Sequence, residues 1–105
     1  MPSIGQLFTS GQWLVKEGME SDFIQAWSDF ARWSSKNQKG AGPAHLLQDQ
    51  ANPRSFLSFG PWDSEAAIQS WRQTPEFQSF LQKARGLCDD LQPKTLALVA
   101  LTGQP

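Results

Sequence analysis

The spacing of apolar residues alternates along the chain between a period of two and a period of about 3.6, and this alternation constrains the fold more than any other feature. Over 6–16 a period of two places apolar side chains on both faces, which predicts a strand covered on both sides. A helical stripe follows, in which apolar side chains recur every three or four residues: Phe23, Ala26, Trp27, Phe30 and Ala31. Glu20 and Asp22 suit the first turn of that helix, and Ser21 or a neighbouring residue is expected to cap it.

The second half of the chain continues with strand and helix patterns in turn. The predicted elements are, in order, a strand at 45–50, a strand at 55–62, a helix that starts at Asp63 or Ser64 and restarts at Thr74-Pro75-Glu76 before running to Leu91, and a strand at 95–101. The Asn52-Pro53 turn joins the two middle strands as a predicted hairpin. The last run is almost wholly apolar, which predicts a strand buried on both faces.

This order of strand, helix, strand, strand, broken helix and strand is typical of a ferredoxin-like α+β subunit with an antiparallel sheet. The 105 residues fit one domain over 1–105. The helices are expected on one face of the sheet, while Phe8, Leu14, Leu57 and Phe59 are expected on the other. A monomer would leave this second face in water as an unusually large apolar patch. A homodimer that covers it is therefore predicted.

Composition argues against several classes of partner. The net charge is −1 and only 18% of residues are charged, so no basic surface is available for nucleic acid. No apolar run approaches the roughly 20 residues of a membrane helix, and no signal peptide is evident. A single cysteine, Cys88, fits a reducing compartment, so a cytoplasmic protein without membrane contact is predicted. On its apolar stripe, Cys88 is expected to be a buried, inert thiol.

Few residues carry obvious chemistry. His45 is the one side chain whose ordinary pKa suits a general base near neutral pH, although a solvent-facing histidine at a strand end is the alternative interpretation. One His and one remote Cys give no metal-ligand spacing, and no dinucleotide fingerprint is present. Neither a metal nor a cofactor is predicted.

The aromatic content leaves two interpretations open. Five Trp and seven Phe occur without any Tyr. They could fill an aromatic core and an interface, or they could line a pocket for a small aromatic or apolar ligand. The pocket hypothesis names Trp27, Phe30, Trp62 and Trp71. The small residues Gly11 and Ser58, on the strands expected to face Trp71, would leave room for the ligand.

Two runs of sequence resemble the antibiotic biosynthesis monooxygenase (ABM) family. They are Val15-Lys16-Glu17-Gly18 before the first helix, and Phe59-Gly60-Pro61-Trp62-Asp63-Ser64-Glu65-Ala66 followed by Trp71 and Thr74-Pro75-Glu76-Phe77. The resemblance covers about 7–101. It implies a dimeric α/β barrel of ferredoxin-like subunits, each with a pocket between helices and sheet. The family includes cofactor-free oxygenases of anthrone-like rings and haem-degrading oxygenases.

The resemblance also names positions in the pocket. The corner Trp62 matches the cofactor-free oxygenases, whereas Ser58, Ile68 and Leu81 stand where those enzymes have Asn, Tyr and, nearby, Arg. These positions join the substrate-binding candidates. In the haem-degrading branch Trp71 matches, but Gly11 and Leu81 replace the required Asn and His.

The leading hypothesis is a cofactor-independent monooxygenase that acts on a small, flat aromatic or quinol-like compound. The alternative is a non-catalytic protein of the same fold that binds a small molecule. Haem degradation ranks below both, because two of its residues are replaced.

Overall fold

The computed structural model describes residues 3–103 and confirms the predicted order of elements. The elements are β1 (Leu7–Val15), α1 (Glu20–Asn37), β2 (His45–Gln48), β3 (Ser55–Trp62), α2 (Glu65–Arg72), α3 (Pro75–Leu87) and β4 (Cys88–Ala97). The chain is therefore an α+β domain of ferredoxin-like order, in which the second helix is divided into α2 and α3. No helix within residues 3–103 is long and apolar enough to cross a lipid bilayer.

The four strands form one antiparallel sheet in the order β2-β3-β1-β4. Strand β1 lies in the middle, so its residues set the register of both neighbours. Gly11, for example, lies opposite Ser58 of β3 and Pro93 of β4. Because side chains alternate along a strand, every second residue of β1 and β3 faces the helices.

Aromatic rings from the sheet and the helices build the core. Trp13 of β1 lies 5.2 Å from Phe23 of α1 and 5.9 Å from Phe80 of α3, measured between ring centroids. Phe23 in turn lies 5.3 Å from Phe56 of β3. The apolar faces of the helices therefore pack against one face of the sheet, as the periodicity predicts.

Side-chain caps start α2 and α3 where the sequence predicts them. The Ser64 hydroxyl accepts a hydrogen bond from the Ala67 N–H at 3.1 Å, and Thr74 accepts one from Phe77 at 3.1 Å. Thr74 also donates to the Trp71 carbonyl at 2.7 Å, so one hydroxyl closes α2 and opens α3. The break between these helices is thus a hydrogen-bonded corner.

The predicted cap of α1 is wrong. Ser21 lies inside the helix, and the N-cap residue Met19 makes no side-chain hydrogen bond. Glu20 and Asp22 do occupy the first turn, where their negative charges interact favourably with the helix dipole.

The C-terminal boundary also differs from the prediction. Helix α3 ends at Leu87 instead of Leu91, and β4 covers Cys88–Ala97 instead of 95–101. Pro93 cannot continue a helix and disfavours helical backbone at the residue before it, whereas β1 offers a free edge for pairing along this whole segment. Strand β4 is largely exposed in the protomer, so the prediction that the last strand is buried on both faces is wrong for the single chain.

The face of the sheet away from the helices, here called the outer face, carries the predicted apolar side chains. Phe8 and Phe59 lie 6.5 Å apart between ring centroids, and Leu47, Leu57 and Leu96 are 50%, 40% and 46% exposed. No element within residues 3–103 packs over this surface.

Cys88, at the junction of α3 and β4, is buried, as predicted. Burial and, to a smaller extent, the negative charge of Asp89 raise the pKa of its thiol from the usual 9.0 to about 11, against the opposing effect of Lys16. At neutral pH the thiol is therefore protonated and shielded.

We expect this thiol to make the fold less stable in alkali. Between pH 9 and about 11 the unfolded chain loses the Cys88 proton while the folded chain keeps it, so the free energy of unfolding should fall as pH rises. The decrease attributable to Cys88 should be on the order of 1–3 kcal/mol. Urea unfolding at several pH values measures it. Cys88→Ala should show a shallower decline over this range, and an identical decline in both proteins would contradict the expectation.

Candidate functional site

A cavity of about 90 Å³ lies between the helices and the sheet. Its floor comes from β1 and β3, and its walls come from α1, α2, α3 and the loop at 41–44 that follows α1. Eight of the described residues that line it are aromatic, and they come from all three helices as well as the sheet: Trp13, Trp27, Phe30, Phe59, Trp62, Trp71, Phe77 and Phe80. The lining is thus built where the aromatic stripes of separate elements converge.

The aromatic rings of the cavity pack in well-defined pairs. Phe30 and Phe80 stack with an interplanar angle of 4° and centroids 4.5 Å apart. Trp71 lies 4.7 Å from both Trp62 and Phe77, tilted against the first and edge-on to the second. Such pairs resist displacement, since each adds roughly 0.5–1.5 kcal/mol beyond its burial.

Each of three indole N–H groups at the cavity donates to a hydroxyl on another element. Trp13 donates to Ser58 at 3.0 Å and Trp62 donates to Thr9 at 3.0 Å, which links β1 and β3 in both directions. Trp71 donates to Ser34 at 2.9 Å, which links α2 to α1. The indole N–H groups of these three tryptophans are therefore satisfied within the protein, and their apolar faces remain for a ligand.

Arg72 supplies the charge at the cavity. It is the last residue of α2 and donates to the Thr95 hydroxyl of β4 at 3.0 Å. The ion pairs found within residues 3–103 join Arg32 to Asp29 and Arg54 to Asp89, so Arg72 has no carboxylate partner there. No described residue that lines the cavity is a histidine or carries a carboxylate.

The structure brings together six of the seven predicted substrate-binding residues. The cavity-lining members are Trp27, Phe30, Ser58, Trp62, Trp71 and Leu81. Ile68 does not line it and is instead buried within the protein, with 1% of its surface exposed.

His45 lies on the outer face and not in the cavity. Its ring stacks on Phe59 with centroids 5.3 Å apart, and its side chain is exposed. His45 is not among the described residues that line the cavity, so it is not placed to act as a general base there.

The room that Gly11 was expected to leave for a ligand is already occupied. A Cβ at this position would lie 2.7 Å from the Trp13 indole, so the glycine accommodates that ring. The indole lies back along its own strand to reach Ser58, which is opposite Gly11. Gly11 therefore serves the core, whereas Ser58 both holds the indole and lines the cavity.

Sequence reasoning missed Ser34 and Arg72, although both lie on predicted stripes. Ser34 follows Phe30 by four residues, and Arg72 follows Ile68 by four. A polar residue at a helical position that continues a buried stripe is the signal that could have found them.

No group of three or more His, Cys, Asp or Glu side chains placed to hold a metal ion is found in the described part of the chain. The absence of a metal and of a cofactor stays a prediction.

The fold and the cavity together define a ferredoxin-like domain with an internal aromatic pocket. The sequence pattern of the antibiotic biosynthesis monooxygenase family matches residues 9–83. Because this match covers most of the chain, the protein belongs to that family, as the sequence resemblance predicts.

Comparison with solved structures supports the same fold. SnoaB, a cofactor-independent oxygenase from Streptomyces nogalater, is similar with a TM-score of 0.85 and 15% identity, over 95% of this chain and 99% of that chain. A conserved protein from Methanosarcina mazei Go1 is similar with a TM-score of 0.80 and 11% identity, over 90% and 94% of the two chains. At these identities the likeness shows the fold alone.

One curated relative is an uncharacterized protein from Synechocystis, 28% identical over 81 residues, which are 77% of this chain and 54% of that protein. The chain therefore spans about half the length of this curated relative.

Replacing Trp71 with Phe should separate a pocket from a simple core. Trp71→Phe keeps most of the apolar volume and should still fold, although Ser34 loses its indole partner. Affinity for a flat aromatic probe such as 1-naphthol should fall by roughly 0.5–1.5 kcal/mol, because a stacking surface shrinks. Quenching of tryptophan fluorescence measures the affinity, and calorimetry measures the melting temperature.

Trp33→Phe is the matched control, because Trp33 stacks on Phe30 but does not line the cavity. It should leave probe affinity unchanged. A lower melting temperature with unaltered affinity in Trp71→Phe would show that Trp71 belongs only to the core.

Proposed function

We propose that this domain is a cofactor-independent monooxygenase of a small, flat aromatic or quinol-like compound. The observation that carries the proposal is the cavity itself, whose walls are aromatic rings and whose polar groups are a few hydroxyls and one guanidinium. Membership of the family and the structural likeness to SnoaB support it.

The shape of the cavity favours a planar ligand of few rings. The parallel pair of Phe30 and Phe80 and the tilted pair of Trp62 and Trp71 present flat apolar surfaces. A volume of about 90 Å³ is small against the roughly 300–1,000 Å³ of drug-sized ligand sites. A larger ring system would require these rings to part.

The reaction that suits such a site draws all its electrons from the substrate. A ring carbon that bears two hydrogens becomes a carbonyl, one atom of O₂ enters the product and the other leaves as water. This oxidation releases four electrons, which equal the four that reduce O₂, so no external reductant is needed. The protein's part is to hold the deprotonated substrate and to exclude water.

The described lining residues include no carboxylate or histidine, so none of them can serve as the usual general base for the substrate. A general base must lie within hydrogen-bond reach of the proton that it removes. We infer that the substrate is acidic enough to enter as its anion.

The same observation favours a second candidate function, a non-catalytic protein that binds an aromatic compound. Such a protein needs the aromatic walls and the hydroxyls, but no base. Consumption of oxygen distinguishes the two candidates.

We also propose that the domain works as a homodimer through its outer face. Leu47, Leu57 and Leu96 together with Phe8 and Phe59 form an apolar surface on the side away from the helices. Covering it with a second copy would remove this surface from water, and an isologous pairing needs only one self-complementary patch.

The monooxygenase function predicts oxygen uptake with anthrone or 1,4-naphthohydroquinone above the rate of spontaneous oxidation. With ¹⁸O₂, anthrone should gain one labelled oxygen as its ring CH₂ becomes a carbonyl. Ala31→Phe should abolish uptake, because Ala31 lines the cavity and the larger side chain would fill it. Ala66→Phe on the exposed side of α2 is the control. Saturable binding of these compounds without uptake would exclude the oxygenase and favour the binding protein.

The dimer predicts a solution mass twice the 11.7 kDa of the chain by light scattering. Leu57→Asp should yield monomer, because a dimer would bury an unpaired carboxylate at a cost of several kcal/mol. Ile24→Asp is a matched control, since Ile24 on α1 is 41% exposed and Leu57 is 40% exposed. A wild-type monomer at micromolar concentration would contradict the dimer.

A further inference from the structure

The hydroxyls that hold the tryptophans keep a hydrogen to donate. Ser34 and Ser58 are 6% and 7% exposed, and each accepts an indole N–H through its oxygen. A serine hydroxyl carries one donor besides its lone pairs. Neither hydroxyl donates to any residue within 3–103, and both line the cavity. A bound ligand could therefore accept a hydrogen bond from each.

The Arg72 side chain adds a group that donates hydrogen bonds and cannot accept them. A guanidinium is a cation that has several N–H donors and no acceptor. Thr95, which it contacts, lies in the row of the sheet that also contains Thr9, and the next row on the same face contains Ser58. Thr95, the partner of Arg72, and Ser58 thus lie in neighbouring rows on the helix-facing side of the sheet, and Ser34 lines the same cavity from α1.

The described residues of the cavity therefore offer donors and one positive charge, and none of them carries a negative charge. Among the described residues that line it, Arg72 carries the one ionisable side chain. A ligand that complements this set is aromatic, to match the walls, and bears oxygen acceptors with a negative charge. Arg72 is partly buried, so water screens its charge less than it would at a fully exposed position.

We propose that the cavity binds its aromatic ligand as an oxygen anion, a phenolate or enolate, held by the charge of Arg72 and by the donor hydroxyls of Ser34 and Ser58. The aromatic nature of the ligand rests on the proposed function, but the inference concerns binding and not turnover. Its consequence is that the protein lowers the pKa of the bound hydroxyl through charge, without a base.

The probe for this inference is 4-nitrophenol, a one-ring phenol whose anion absorbs visible light. Titration of the bound probe from pH 5 to 9 reads its ionisation directly, and binding should lower its pKa by about one unit, equivalent to roughly tenfold tighter binding of the phenolate than of the phenol. 4-Nitrotoluene, which lacks the oxygen, should bind about tenfold more weakly than the phenolate.

Variants of Arg72 test the charge. Arg72→Gln should abolish the shift in the probe's pKa, and Arg72→Lys, which keeps the charge, should retain part of it. Arg85→Gln, an exposed change on α3, should leave the shift intact. Neither Arg72 variant should alter binding of 4-nitrotoluene, which excludes a general loss of the fold.

The hydroxyls are tested in the same way. Ser58→Ala and Ser34→Ala should weaken phenolate binding about three- to tenfold, since each removes one donor. Ser70→Ala, exposed on α2, is the control, and melting curves check that the variants fold.

Several results would overturn the inference. They are the absence of saturable 4-nitrophenol binding, a shift that persists in Arg72→Gln, equal affinity for 4-nitrophenol and 4-nitrotoluene, or tighter binding of 4-nitrobenzoate with no shift for the phenol. Different results would contradict the proposed function. A lowered pKa without oxygen uptake would remove the monooxygenase and leave this inference standing, whereas uptake without the shift would do the reverse.

Discussion

The cavity depends on the need of buried indole N–H groups for acceptors. Trp13, Trp62 and Trp71 come from β1, β3 and α2, and each reaches a hydroxyl on a different element. A buried N–H left unpaired costs about 1–3 kcal/mol, so shifting one wall against another would break a bond that nothing else in the apolar lining replaces. The hydrogen bonds therefore fix the spacing of the walls, while the aromatic faces stay available.

Local pattern was sufficient for most of the fold and failed at β4. The caps at Ser64 and Thr74 follow from hydroxyls placed before helical stripes, which is a short-range effect. The segment after Leu87 is different, because Cys88 and Leu91 fit both a helical stripe and a strand. What decides between them is the free edge of β1, a long-range partner that the spacing of nearby residues does not report.

The site was predictable in its apolar part and not in its polar part. The helical stripes that build the core also place Trp27, Phe30 and Trp71 at the cavity, so the periodicity of the sequence was sufficient to identify these three residues. Ser34 is ambiguous in sequence, because a serine on a stripe can mark either its exposed edge or a buried partner. Only the approach of the Trp71 indole decides, and that approach requires α2 to have packed against α1. At Gly11 the sequence suggested open space for a ligand, but the Trp13 indole occupies that space.

The family and the shared fold do not by themselves transfer a chemistry, because function depends on the groups that each chain places in its cavity. Among the residues of this chain that the structure describes, those groups are donors and one guanidinium, with no histidine or carboxylate to act as a base. Such a cavity can stabilise an anion but has no group of its own to create one by proton abstraction. Selection among aromatic compounds would then follow their acidity as well as their shape. A ring hydroxyl that ionises near neutral pH would gain from Arg72, whereas a hydrocarbon of the same outline would gain nothing. The positive charge would therefore act as a filter on ligands before any reaction with oxygen begins.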